Sequence, residues 1–226
     1  MKQLLYDNIP NLTEQAADKL CRYYELLVDW NSRINLTAIT EPLDVVQKHF
    51  ADSLLPCSLI PNGASLIDVG TGAGFPGLPL AIVRQDIRLT LLDSLNKRVV
   101  FLQEACRELD IPAICIHARA EDAGRNPSLR GKFDVATSRA VAGVSALCEY
   151  TLPLLKVGGL SIMYKGPQAQ DELKGAHNAL KTLGAVASIS AFDAPWGERR
   201  VISVTKRGET PNAYPRKAGT AQKMPL

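Results

Sequence analysis

Residues 65–77 read Ser-Leu-Ile-Asp-Val-Gly-Thr-Gly-Ala-Gly-Phe-Pro-Gly, and this stretch decides the fold of the chain. Its apolar start predicts a buried strand that carries an acid, Asp68, near its end. Four glycines follow, and because glycine lacks a Cβ and adopts positive φ, the loop can turn sharply and let a ligand approach the backbone. The helix predicted next, over residues 78–85, begins with free N–H groups that suit an anionic or hydrogen-bond-accepting ligand. We therefore expect a small-molecule site on this loop.

Strand and helix patterns alternate from residue 64 onward. Five strands are predicted at 66–69, 89–92, 113–116, 133–137 and 160–164, with helices over 78–85, 97–109 and 144–155 between them. A polar helix over 171–183 and two β-like runs, 187–192 and 200–205, follow. Such alternation implies right-handed crossovers and a mostly parallel sheet, to which the last two strands are expected to add an antiparallel hairpin. The predicted fold is Rossmann-like α/β, with about seven strands and helices on both faces of the sheet.

The chain divides into three predicted parts: a helical N-terminal extension over 1–62, the α/β domain over 63–207 and a basic C-terminal tail over 208–226. The extension shows capping-box spacing at Asn11 and Glu14, then apolar residues at three- and four-residue steps. Between Lys206 and Leu226 there are five bases and one acid, although the net charge of the whole chain is only +3. The tail is expected to be coil, and basic tails either solubilise a protein or contact phosphate backbones.

Composition narrows the class of protein. Hydrophobic residues make up 46% and charged residues 22% of the 226 residues, which is typical of a globular protein. No apolar run approaches the roughly 20 residues that span a bilayer, so we expect a cytoplasmic protein without membrane contact. The five cysteines never form a C-x-x-C pair and the three histidines lie far apart, so we expect reduced thiols and no metal site.

The glycine loop by itself does not choose a cofactor. Counted from Gly70, the dinucleotide fingerprint G-x-G-x-x-G fails at Phe75, but counted from Gly72 it is met by the glycines at 74 and 77. Asp93 ends the next strand about twenty residues later, where a carboxylate accepts hydrogen bonds from the ribose hydroxyls of NAD and S-adenosylmethionine (SAM) alike. Asp68, inside the first strand, favours the SAM-dependent methyltransferases, which the pattern resembles.

Two further segments follow strands and are expected at the same edge of the sheet. Ala120 and Glu121 follow the third strand, and Ser138 and Arg139 follow the fourth. An arginine can bind a carboxylate or a phosphate through two parallel hydrogen bonds, and a structural ion pair is the alternative for Arg139. An ordinary polar loop is the alternative for Ala120 and Glu121.

Several motifs taken together are similar to one family. They are Trp30-Asn31-x-x-Ile34-Asn35-Leu36-Thr37, His49-Phe50-x-Asp52-Ser53-Leu54, the loop from Asp68 to Leu80, Leu92-Asp93-Ser94-x-x-Lys97-Arg98, Ser138-Arg139-Ala140 and Tyr214-Pro215-Arg216-Lys217-Ala218-Gly219-Thr220. From around Leu20 to the C-terminus, the chain resembles the bacterial small-subunit ribosomal RNA guanine-N7 methyltransferases, also called glucose-inhibited division protein B. One departure lies in the tail, where Ala218 and Ala221 occupy positions that often carry proline in similar sequences.

The resemblance implies a class I SAM-dependent methyltransferase that methylates N7 of a guanine in the 530 loop of 16S ribosomal RNA (rRNA). Together with Asp93, the cofactor contacts that it implies are Gly70, Phe75, Ala120, Glu121 and Arg139. Arg139 is also the candidate catalytic residue, orienting either the cofactor carboxylate or a substrate phosphate. The expected partner is 16S rRNA or the small ribosomal subunit, bound by a monomer that needs no metal.

Guanine N7 has an in-plane lone pair and no proton, so methyl transfer to it requires no general base. The expected mechanism is positioning, with N7 and the methyl carbon held in line at roughly 3–3.5 Å. Basic residues expected to contact RNA are Lys97, Arg98, Arg119, Lys165, Arg199, Arg200 and those of the tail. The competing classes are a nucleotide-dependent oxidoreductase, which the frame from Gly72 allows, and a non-catalytic RNA-binding assembly factor, which would not need the cofactor residues.

Overall fold

A seven-stranded sheet forms the centre of the computed structural model, which describes all 226 residues. The strands are β1 (Ser65–Val69), β2 (Arg88–Asp93), β3 (Ala113–His117), β4 (Phe133–Arg139), β5 (Leu155–Lys165), β6 (Ala185–Ala194) and β7 (Gly197–Lys206). Their order is β3-β2-β1-β4-β5-β7-β6. Six strands run in the same direction, and β7 is antiparallel to them. The strand order reverses between β1 and β4, which is the position where open α/β sheets bind ligands.

Helices cover both faces of this sheet. They are α1 (Lys2–Asn8), α2 (Glu14–Ile34), α3 (Pro42–Val45), α4 (Asp52–Leu54), α5 (Gly77–Val83), α6 (Asn96–Glu108), α7 (Ala120–Arg125), α8 (Val144–Thr151), α9 (Ala169–Gly175), α10 (His177–Thr182) and α11 (Thr220–Lys223). A π-helical turn at Val46–Ala51 joins α3 to α4. The predicted α/β class, the mostly parallel sheet and the C-terminal antiparallel hairpin are confirmed.

The N-terminal helices pack on one face of the sheet together with α5 and α6. Leu20 and Leu27 of α2 are fully buried and share one hydrophobic core with Leu66 of β1 and Val135 of β4. Burial of a leucine side chain stabilises the folded state by roughly 1.5–3 kcal/mol. The helical residues that precede β1 are therefore held to the sheet by the hydrophobic effect and form part of its core.

Helices α7, α8 and α10 cover the other face. Ile67 of β1, Met163 of β5 and Ile202 of β7 point to this side and form a second core with Leu147 of α8. Alternate residues of β1 thus enter opposite cores, since successive side chains of a strand point to opposite faces. A strand buried on both faces is rich in apolar residues, which is why Leu66, Ile67 and Val69 mark β1 in the sequence although Asp68 lies among them.

Several local predictions are wrong. The capping box beginning at Asn11 does not form, because Asn11 adopts a φ of 58° and Thr13 accepts the capping hydrogen bond from the Ala16 N–H at 3.2 Å. The strand predicted at 160–164 begins earlier, because β5 starts at Leu155 and its pairing with β4 shifts register between Phe133 and Val135. The polar helix predicted over 171–183 is interrupted at Ala176. Helix α7 was not predicted, whereas α1 falls within the predicted helical extension. None of the helices combines the length and apolar character needed to cross a membrane.

Candidate active site

A buried carboxylate fixes the shape of the glycine loop. Asp68 is fully buried, and its Oδ2 accepts hydrogen bonds from the Thr71 hydroxyl at 2.6 Å and from the Gly77 N–H at 2.9 Å. Its Oδ1 accepts from the Thr137 hydroxyl of β4 at 2.8 Å. Burial raises the pKa of the Asp68 carboxyl because the charged form loses its water, and the three donors oppose this effect. The carboxylate therefore joins both ends of the loop to β4.

Close packing requires glycine at three loop positions, 70, 74 and 77, and the first and last of these shape the site. A Cβ at Gly70 would lie 2.6 Å from Cγ2 of Val141, and the residue also has a φ of +70° that disfavours other side chains. A Cβ at Gly77 would lie 2.6 Å from Cδ2 of Leu91 and 3.0 Å from Oδ2 of Asp68. Glycine at 77 therefore lets α5 begin against the buried carboxylate, and glycine at 70 lets the loop pass close to the segment after β4.

The first cleft is a cavity of about 290 Å³ at the carboxyl ends of β1, β2 and β4. Its walls include four of the predicted cofactor residues, Gly70, Asp93, Ala120 and Glu121. These residues follow β1, end β2 and begin α7, so the parallel topology brings them together although they are up to 51 positions apart in the sequence. The structure thus brings the glycine loop, Asp93 and the Ala120-Glu121 segment together, whereas Ser138 and Arg139 do not line this cleft.

Asp93 connects the glycine loop to the segment that leads into α6. Its Oδ2 accepts a hydrogen bond from the Gly72 N–H, and its Oδ1 accepts one from the Leu95 N–H, both at 2.9 Å. Each carboxylate oxygen can accept more than one hydrogen bond, so Asp93 keeps the capacity to accept from ligand hydroxyls. Arg98, which also lines the cleft, has a buried Nε without a hydrogen-bond partner. The cleft therefore offers polar groups to a bound ligand.

A second cleft of about 370 Å³ opens on the other side of Ala140, the only residue that lines both. Its walls carry Arg139, Lys165, Arg199 and Arg200, together with the acids Asp52 and Glu172. Three of the bases predicted to contact RNA, Lys165, Arg199 and Arg200, thus lie in one cleft with Arg139. Arg98 and Arg119 line the first cleft instead. The bases between Lys206 and Leu226 line neither cleft; they are Lys206, Arg207, Arg216, Lys217 and Lys223.

Arg139 is held by the N-terminal helical region. Its Nη1 donates to the Lys48 carbonyl at 3.1 Å and to Oδ2 of Asp52 at 3.2 Å, and its Nη2 lies 3.2 Å from Nδ1 of His49. Asp52 is buried and also accepts a hydrogen bond from Nε of Arg199 at 2.6 Å. The ion pair that was the alternative interpretation of Arg139 is present, and it forms a wall of the second cleft.

Phe75 lies apart from the first cleft. Its ring is 5% exposed and packs with Tyr23, Phe50 and His49, with ring centroids 5.3, 6.0 and 4.4 Å away. The Arg139 guanidinium lies 5.1 Å from the Phe75 ring centroid, within the range of a cation–π interaction. The structure therefore places Phe75 beneath Arg139 rather than beside Asp93 and Glu121, and its cofactor contact stays a prediction.

The contacts of Asp52 and His49 with Arg139 were not predicted from the sequence. His49 lies in the π-helical turn, and Asp52 is the first residue of α4. Asp52 is 87 positions from Arg139 in the sequence. Because this ion pair is made across the fold, no spacing rule could find it; membership of the His49-to-Leu54 motif was the only signal. No group of three or more His, Cys, Asp or Glu side chains is arranged to hold a metal ion.

The sheet order, the acid inside β1, the glycine loop and the carboxylate that ends β2 define the class I SAM-dependent methyltransferase fold. An O-methyltransferase from Bacillus cereus, solved in complex with SAH, covers 91% of this chain and 96% of its own, with a TM-score of 0.59 and 15% identity. A methyltransferase from Pyrococcus furiosus covers 84% of this chain and 99% of its own, with a TM-score of 0.57 and 15% identity. At these identities the two structures support the fold alone.

Sequence relatives identify the family. The model of the family described as rRNA small subunit methyltransferase G matches residues 16–201. The ribosomal RNA small subunit methyltransferase G of Leuconostoc citreum is 50% identical over 223 residues, covering 95% of this chain and 93% of that protein. The protein of the same name from Desulforamulus reducens is 45% identical and covers 100% of this chain and 97% of its own. The chain therefore belongs to the rRNA small subunit methyltransferase G family, which confirms the resemblance and excludes the oxidoreductase.

The environment of His49 predicts a dependence of stability on pH. Burial and the neighbouring Arg139 lower the pKa of His49 from 6.5 to about 4, so the folded protein keeps this ring neutral while the unfolded chain protonates it. His49 therefore favours folding above pH 6.5, and this contribution is lost as the pH falls towards 4. Compared with His49→Gln, the wild type should lose up to about 3 kcal/mol more of its unfolding free energy over that interval.

Urea unfolding at a series of pH values measures this difference. His177 is exposed, so His177→Gln is the matched control and should follow the wild type throughout. Parallel stability curves for the wild type and His49→Gln would contradict the neutral, buried state of His49.

Proposed function

We propose that this chain transfers a methyl group from SAM to N7 of a guanine in 16S rRNA, in the 530 loop of the small subunit. The observation that carries the proposal is the pair of clefts that meet at Ala140. One is built from the residues of the fold that bind a nucleoside, and the other is lined by arginine and lysine side chains suited to a polyanion. Family membership supplies the reaction and the substrate class.

The residues of the first cleft fit SAM. Asp93 is 3% exposed and retains acceptor capacity for ribose hydroxyls, while Glu121, equally buried, offers a carboxylate near the predicted adenine position. A Cβ at Gly70 would fill space that the packing of Val141 already occupies, so the loop stays close to the cleft. We assign cofactor contacts to Gly70, Asp93, Ala120 and Glu121. When bound, SAM supplies a methyl group on a sulfonium, which needs no metal for its transfer.

The second cleft is proposed to hold the target nucleotide. Lys165 and Arg199 each pair with an acid at 2.6–2.7 Å, through Glu172 and Asp52 respectively, so their side chains are oriented before RNA arrives. Oriented donors lose less conformational freedom on binding than free lysines and arginines do. Guanine N7 carries no proton, and the side chains here have only to place its lone pair towards Ala140 and the first cleft.

Arg139 is the residue that joins the two clefts to the N-terminal helices. Its contacts with Asp52, His49 and the ring of Phe75 fix the guanidinium beside Ala140. We propose that it acts there as a catalytic residue by binding either the cofactor carboxylate or a phosphate of the target nucleotide. Phe75 is proposed to support Arg139 from below in addition to its expected cofactor contact. The protein is proposed to act as a cytoplasmic monomer on 16S rRNA or the small subunit.

Replacing Arg139 tests this role. Arg139→Ala should lower kcat/KM by about 10²-fold, because a preorganised charge beside the reacting atoms is lost. The fold should survive at a cost of about 2 kcal/mol, since Asp52 keeps its hydrogen bond with Arg199. Steady-state methylation of small subunits that lack the modification measures the KM for SAM and the KM for the subunit. A raised KM for SAM indicates a cofactor contact, whereas a raised KM for the subunit indicates a phosphate contact.

Arg88 is the matched control for this substitution. It stands at the start of β2, on the opposite edge of the sheet, where it donates to the Gly63 carbonyl. Arg88→Ala should keep the activity of the wild type. Near-normal turnover by Arg139→Ala would refute the assignment.

The substrate is tested in cells. A strain that lacks this gene should lose one 7-methylguanosine from 16S rRNA, because the proposed reaction methylates N7 of one guanine. Mass mapping of rRNA digests detects the loss, and restoring the wild-type gene should return the methyl group. An unchanged methylation map in the deletion strain would contradict the proposed reaction. In a separate binding measurement, binding of NAD instead of SAM to the purified protein would contradict the proposed cofactor.

RNA contact through the second cleft predicts a salt dependence. Arg200→Ala should reduce the slope of log Kd against log salt by roughly 0.7–0.9, since one phosphate contact is removed. Lys132 is exposed directly before β4, at the opposite edge of the sheet, so Lys132→Ala should leave the slope unchanged. Filter binding of a 16S rRNA fragment between low and moderate salt measures the slope. Equal slopes for the wild type, Arg200→Ala and Lys132→Ala would contradict RNA binding in the second cleft.

A further inference from the structure

The C-terminal segment, defined as residues 208–226, is folded onto the protein instead of extending as the coil expected from the sequence. Arg216 forms an ion pair with Glu149 of α8, whose side chain is 1% exposed. The carboxylate accepts three kinds of donor from this one residue: the backbone N–H at 2.6 Å, Nε at 3.0 Å and Nη2 at 2.7 Å. A buried carboxylate with a bidentate arginine partner is a strong and directional contact.

Two further contacts fix the path of the segment before Arg216. Arg130 donates hydrogen bonds to the carbonyls of Thr210 and Tyr214, both at 2.8 Å. Pro215 is buried against Gly124 of α7, where a Cβ at Gly124 would lie 3.0 Å from the proline ring. The segment is therefore held by side chains of the α/β domain at several points along its length.

The same segment then reaches the first cleft. The Gly219 N–H donates to Oε1 of Glu121 at 2.8 Å, and Gln222 of α11 lines the cleft beside Glu121. Ala221, between them, is 1% exposed and belongs to the core formed with α8. The tail therefore contacts Glu121, a predicted cofactor residue, and contributes the Gln222 side chain to the first cleft.

We propose that the C-terminal segment forms a wall of the cofactor cleft, and that Arg216 and Glu149 are positioning residues that hold this wall against Glu121. The inference rests on the proposed binding of SAM in the first cleft. It gives the tail a role in cofactor affinity, in place of the RNA contact that its positive charge suggests. Of its bases, Arg216 is neutralised by Glu149, and the segment lies beside the first cleft rather than the second.

Arg216 and Lys217 form a matched pair for the test. Lys217 is exposed and makes no ion pair, so Lys217→Ala removes the same charge from the same segment without releasing the wall. Arg216→Ala should raise the Kd for SAM and for SAH by about tenfold, because a charge-assisted contact that orders the wall is lost. Arg216→Lys keeps the charge without the bidentate geometry, so its Kd for SAM should lie between those of Lys217→Ala and Arg216→Ala. Isothermal titration calorimetry measures each Kd.

Kinetics separate positioning from a general structural defect. In methylation assays Arg216→Ala should raise the KM for SAM by about the same factor as the Kd, while kcat at saturating SAM stays close to that of the wild type. Lys217→Ala should alter neither. A loss of kcat with an unchanged KM for SAM would overturn the inference.

Gly219→Ala keeps the test decisive if Arg216→Ala fails to fold. Gly219 has a φ of +80° with no neighbouring atom where a Cβ would lie, so alanine strains only the local backbone that carries the N–H donated to Glu121. We expect weaker SAM binding from this variant also. If the wild type binds SAM and Gly219→Ala binds it equally well, the wall is refuted. If the wild type binds neither SAM nor SAH, the proposed function fails together with it.

Discussion

The folding of this protein depends on a charge placed where water cannot reach it. Asp68 is fully buried, and its two oxygens are satisfied by Thr71, Gly77 and Thr137. An unpaired carboxylate in that position would be very costly, so the loop has to return to it and β4 has to lie beside it. The conformation of the loop, the start of α5 and the pairing of β1 with β4 thus follow from one acid.

The N-terminal helices are more than a cover for the sheet. The π-helical turn and α4 supply the Lys48 carbonyl, His49 and Asp52, which hold Arg139, and α2 supplies Tyr23, whose hydroxyl donates to the Ala73 carbonyl in the glycine loop. The helical region and the loop are therefore coupled by hydrogen bonds as well as by the shared hydrophobic core. Together they determine where the second cleft begins.

Local features of the site were predictable and long-range ones were not. The strand at 66–69, its glycine loop and Asp93 are encoded by adjacent residues, because turn geometry and strand burial act over a few positions. The ion pair of Arg139 with Asp52 and that of Arg216 with Glu149 are made across 87 and 67 positions, and many acids could have taken the partner's place. The tail was misjudged for this reason: its prolines and bases are typical of coil, and only the tertiary contacts hold it in place.

Ala140 limits how much protein bulk separates the two clefts. It is a non-glycine residue with a φ of 55°, a conformation that costs of order 1 kcal/mol for an alanine and less for a glycine. The chain nevertheless carries a side chain here, and that side chain is a single methyl group at the junction of the two cavities. The partition is thus as thin as a side chain allows. In the proposed reaction, this small residue leaves little protein bulk between a cofactor in the first cleft and a nucleotide in the second.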